Sequence, residues 1–160
     1  MNGIRLLICV GLVTANGAIA RAETPEIFHF TDASWVKDAG ERLARCAGAY
    51  RGVAAVLRKS GRDEPAAYAD QVGSGALFAA YLLLTSPVAA DADAPNAVDV
   101  NVRIDTLAWG TERNVVMADA QRESGLPTEL RACTQLSALQ SAVLHGAMAV
   151  SAVAAAPLDP

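Results

Sequence analysis

Apolar positions recur at alternating intervals of three and four along most of this chain, and the first long run sets the pattern. Between Asp32 and Ser60 the sequence DASWVKDAGERLARCAGAYRGVAAVLRKS places Val36, Ala39, Leu43, Cys46, Tyr50, Val53 and Leu57 at that spacing. They share one seam of an α-helix. At about 100° per residue, Lys37, Arg51, Arg58, Lys59 and Arg62 fall on the opposite side, toward water. Thr31 or Asp32 suits the N-cap, and Gly61 closes the helix just after Lys59, whose charge complements the negative end of the helix dipole.

The same reading predicts three further helices. Asp63 or Glu64 followed by Pro65 opens a second helix over about 64–85, stopped by Pro87. Its middle, VGSGALFAAYLLL, holds Gly73 and Gly75, each about 1 kcal/mol worse than alanine in a helix interior. Close approach of a neighbouring backbone, or a kink, would offset that cost. The run Ala76–Leu84 is too short to span a bilayer and reads as the most buried segment. After an acidic loop at 88–96 the pattern is ambiguous. Val98, Val100, Val102 and Ile104 alternate with polar residues as in a half-buried strand, whose one available partner is Ile27–Phe30. Ala97, Val100, Ile104, Leu107, Ala108, Thr111, Val115 and Ala118 fit a helix, with Asp99 four residues before Arg103. An isolated strand pair is marginal in water, so a helix over about 96–124 is preferred, ended by Gly125-Leu126-Pro127. A fourth helix, about 128–154, carries Ala132, Leu136, Leu139, Val143, Gly146, Val150 and Val153 on its seam. Short connections imply antiparallel neighbours. The expected fold is therefore all-α, an up-down-up-down four-helix bundle with an extended lead-in at 23–31.

Residues 1–22 fall outside that pattern. Arg5, then LLICVGLVTANGAIA, then Ala18-Ile19-Ala20 and Ala20-Arg21-Ala22 have the order of a signal peptide, cleaved after Ala22 or Ala20. Residues 23–160 are then one helical domain, exported to the periplasm or secreted. Cleavage after Ala22 leaves 11 basic against 17 acidic residues. That balance gives no electrostatic case for nucleic acid. No membrane span is expected in the mature chain. The charge is uneven: residues 32–62 are basic, whereas 63–130 carry three basic and eleven acidic groups. Either the first helix lies beside acidic segments of its own chain, or it docks an acidic partner.

Cysteine usage follows from export. Cys9 lies in the leader, leaving Cys46 and Cys133, which are expected to form a disulfide in an oxidising compartment. Because Cys46 is mid-helix and Cys133 near the start of the last helix, the bond requires an axial offset of about two turns.

Little else carries chemistry. His29 and His145 lack ligands at i+3 or i+4, so no metal site is expected. Nothing pairs Asp105, Glu112 or Asp119 as an acid/base couple, and no cofactor motif is present. No catalytic residue is assigned. Two function classes remain. The preferred one is a non-catalytic binding or interaction protein of the cell envelope: an inhibitor, an immunity-type protein, an assembly factor or a chaperone. Its surface would be the basic face of Lys37, Arg51, Arg58 and Lys59, or an exposed part of Ala76–Leu84. The alternative is a small-ligand carrier or enzyme, with a pocket near Gly73–Gly75 lined by Tyr50, Tyr68, Tyr81 or Trp109.

Overall fold

A computed structural model describes residues 28–89, 97–121 and 126–154. The expected leader, its cleavage sites and the 90–96 linker lie outside the described residues. Within them the chain forms five helices and no strand: α1 Ala33–Lys59, α2 Asp63–Leu84, α3 Ala97–Gln121, α4 Leu126–Gln135 and α5 Ser137–Ala154.

Both ends of α1 are closed by local chemistry. The Asp32 carboxylate accepts from the Trp35 N–H at 3.0 Å and from the Ser34 hydroxyl at 2.7 Å. Those two bonds, the Ser34 one first, hold its pKa below the ordinary aspartate value. At the other end Gly61 takes a left-handed φ of 69°. That turn lets the Arg62 N–H donate to the Leu57 carbonyl and the Gly61 N–H to the Arg58 carbonyl. The pattern is a Schellman cap, and it satisfies carbonyls the helix end would leave unpaired.

The ambiguous stretch is helical. Val100 and Ile104 are buried, whereas Val98 and Val102 are 66% and 60% exposed. The alternating valines thus sit on opposite sides of one helix. A strand pairing of 98–104 with 27–30 is excluded for the described residues.

The expected single fourth helix is corrected to two. The chain breaks at Leu136, whose N–H bonds the Cys133 carbonyl at 3.1 Å in a tightened turn. No proline or glycine sits there. Instead the Thr134 and Ser137 hydroxyls donate to the Arg131 and Thr134 carbonyls, a local competition with the helical ladder. The break redirects the chain: α4 lies against α1, and α5 crosses to α2.

Helix α1 is the shared partner, packing along α2 on one side and α3 on the other. α2 runs antiparallel to it, with Leu84 against Gly40, Gly73 against Ala47 and Asp70 paired with Arg58. α3 runs parallel, Arg103 pairing with Glu41, Ala108 meeting Gly48 and Val115 meeting Gly52. Intimacy between α1 and α3 depends on Gly48 and Gly52, one turn apart. A Cβ at position 48 would lie 1.9 Å from the Ala108 carbonyl oxygen, so the two backbones touch. The core between these helices is built from small side chains, with Leu43, Leu139, Val36 and Val115 the largest fully buried ones. No polar or charged side chain is buried among the described residues.

Candidate functional site

Cys46 and Cys133 are joined, with Cα atoms 5.4 Å apart and 87 residues between them in sequence. The separation is ordinary for a disulfide. The axial offset is met because Cys133 belongs to the short α4, which reaches the middle of α1 before the break at Leu136 turns the chain away. Beside the bridge lies an open cavity of about 190 Å³, walled by Arg42, Arg45, Ala49, Thr111 and Leu136. Its two arginines face carboxylates of their own helix, Arg42 to Asp38 at 4.0 Å and Arg45 to Glu41 at 3.3 Å. Neither is an unmatched anion receptor.

Half of the basic face of α1 is matched by its own chain. Arg58 pairs with Asp70 of α2, and Arg51 lies 4.0 Å from Glu112 of α3. Lys37 and Lys59 are exposed, and neither has an ion-pair partner among the described residues. The charge asymmetry of the sequence is therefore met in part within the molecule, as a basic helix beside acidic ones.

Of the expected aromatic pocket residues, Tyr50 and Tyr68 lie close enough to interact, while Tyr81 lines a separate groove and Trp109 points outward. Tyr50 is half-buried under Gly73, and burial, with a smaller contribution from Tyr68, raises its pKa above the ordinary tyrosine value. Tyr68 is exposed on the outside of α2. Tyr81 lines a groove of about 250 Å³ with Leu77, Phe78, Asn101 and Asp105. Trp109 projects from α3 and is 61% exposed. The glycines expected beside that pocket are contact points instead. A Cβ on Gly73 would lie 3.1 Å from the Ala47 carbonyl oxygen, and one on Gly75 would lie 2.5 Å from Gln140 Nε2.

Ala76–Leu84 is two-sided. Ala76, Ala79, Ala80, Leu83 and Leu84 are buried, whereas Phe78 is more than half exposed beside α3. Across its C-terminal end, Leu82, Leu83 and Pro87 with Phe30 and Val143 border a shallow apolar groove of about 610 Å³. His29 stacks edge-on against Trp35, which also meets Phe28 and Phe30, while His145 is exposed. Among the described residues no cluster of His, Cys, Asp and Glu is placed to hold a metal, and no buried side-chain polar atom lacks a partner.

The feature that periodicity alone does not single out is the outer face of α3. Val98, Val102, Trp109, Val116 and Met117 are all exposed there. By helical angle they lie opposite the buried seam of Val100, Ile104, Ala108 and Val115. The signal is present in the sequence as Val98, Val102, Trp109 and Val116 at intervals of four, seven and seven, which share one side of a helix. It is easily passed over, because one seam is enough to explain a helix. Arg113 lies over the Trp109 ring, 5.7 Å from its centroid, as a cation–π pair. Comparison with protein-family models, with curated proteins and with solved structures gave no match.

Proposed function

We infer that this chain is an exported helical interaction protein of the cell envelope. In this reading a signal peptide is removed after Ala22 or Ala20, the helices form an up-down-up-down bundle stapled by Cys46–Cys133, and the product works by presenting a surface rather than by catalysis. One observation carries it: exposed valines and a tryptophan, with Asp105 and Arg113 between them, lie in line on the outside of a helix whose inner side is already packed. Exposed apolar surface of that kind is costly in a soluble protein and marks contact sites. The closely packed core and the absence of a buried polar cluster among the described residues favour a scaffold over an enzyme. Lys37 and Lys59 offer a second, polar contact face for an acidic partner.

The test is to recover the tagged chain from its native envelope under non-denaturing conditions and measure the mass of what it travels with. The wild-type chain is expected in an assembly larger than one copy. A variant carrying Val102→Ser and Trp109→Ser is expected to emerge alone. A wild-type chain recovered only as a single copy refutes the reading.

A further inference from the structure

We propose that the outer stripe of α3 is a self-association surface, and that its occupant is α3 of a second copy of this chain lying antiparallel across it. The proposal rests on the reading of that stripe as a contact face and names what covers it.

The argument is the order of residues along the stripe. Val102, Asp105, Trp109, Arg113 and Val116 follow one another at intervals of three, four, four and three. That series is the same read in either direction from Trp109. Val98 and Ala120 extend it by one residue each way, four beyond Val102 and four beyond Val116. A two-fold axis through the position of Trp109 therefore brings Val102 opposite Val116 of the other copy, and Val98 opposite Ala120. It brings each Trp109 against the other, as the self-complementarity of a two-fold interface requires.

The two charged members decide the orientation. Asp105 and Arg113 are equidistant from Trp109, so an antiparallel pairing sets Asp105 against Arg113 of the second copy, twice. In register, a parallel pairing sets like charges against each other. Among the described residues neither side chain has an ion-pair partner within its own chain. Arg113 rests on the face of Trp109, which holds its guanidinium over the middle of the stripe. Glu112, at the stripe's edge, is directed to Arg51. Viewed along the helix, Asp105 and Arg113 stand to either side of the line through Trp109, as facing positions do across an antiparallel helix pair. The stripe from Val98 to Ala120 is about 33 Å long at 1.5 Å per residue, enough for a six-turn helix pair. The groove holding Phe78, Asn101 and Asp105 flanks it and widens the apolar ground.

The test uses the purified chain, processed as its host processes it, and sedimentation equilibrium over a wide concentration range. The wild type is expected to dimerise. Asp105→Arg alone and Arg113→Asp alone should each weaken the dimer by about tenfold or more, because every opposed pair becomes like-charged. Both positions are exposed, so each variant should keep the wild-type helical circular dichroism. Mixing the two variants should restore dimers as a heterodimer, since one chain then supplies two arginines and the other two aspartates. The double variant should dimerise as the wild type does. A wild type that stays monomeric to roughly millimolar chain, where even about 4 kcal/mol of association would register, overturns the proposal. So does a mixture that fails to recover the dimer, or single variants that associate undiminished. A purified chain that is monomeric while the native chain still travels in a larger assembly sinks the second copy and leaves the contact-face reading standing.

Discussion

Gly48→Ala should destabilise this protein although alanine is the better helix former. In an exposed helix interior the exchange gains about 1 kcal/mol. At position 48 the new methyl would stand 1.9 Å from the Ala108 carbonyl oxygen, 2.7 Å from its carbon and 2.8 Å from its Cα. All three are backbone atoms of α3, so no rotamer change relieves the overlap. Ordinary contact needs about 3.5 Å, so α1 and α3 must part locally by roughly 1.5 Å. A gap of that size forfeits much of the dispersion energy along the seam of Gly48, Gly52, Ala108 and Val115. Overpacking commonly costs about 1–3 kcal/mol, and a backbone-limited site belongs at the upper end, about 3 kcal/mol. Less the propensity gain, the net loss is about 2 kcal/mol. Gly110→Ala is the matched control: it is also inside a helix, and a methyl added there would meet nothing within 4 Å. It should gain up to about 1 kcal/mol. Urea unfolding of the oxidised chain, followed by circular dichroism, compares the three proteins. The midpoint should fall for Gly48→Ala and rise or hold for Gly110→Ala. If Gly48→Ala is as stable as the wild type, the touching of α1 and α3 backbones is wrong.

Three other outcomes are expected. Alkylation of the processed chain without reductant should modify no thiol, and replacing both Cys46 and Cys133 by alanine should cost about 4–5 kcal/mol in the chain-entropy account, read as a shift in the urea midpoint. Intact mass of chain from the envelope should begin at Glu23 or Arg21; a tightly membrane-bound chain beginning at Met1 would defeat the export reading. Because the folded-state pKa of Asp32 is lowered, its capping contribution is present above the ordinary aspartate pKa and disappears as pH falls through the depressed value. Asp32→Asn, which caps without titrating, should therefore flatten the acid limb of the stability–pH profile, and an unchanged limb would refute the assignment.

Much of the fold was legible because it rests on local chemistry. The three–four seam, the Asp32 cap, the Gly61 turn and the Pro65 start each act within a few residues, so their spacing alone specifies α1 and the start of α2. Cysteine count and the inward position of Cys46 on its seam were enough to name the bridge to Cys133. Other features depend on which surfaces meet. Gly48 and Gly52 look like weak points in a helix until α3 is laid beside them, and the break at Leu136 has no local breaker to announce it. The uneven charge of the sequence allows acidic partners for α1 within its own chain, but only the tertiary placement of Glu112 and Asp70 names them for Arg51 and Arg58. The valines of α3 fall on two sides of the helix, one seam wholly apolar and the other interrupted by Asp105 and Arg113. Periodicity puts both on a helix, but only packing against α1 decides which one is buried and which is left outside with Trp109.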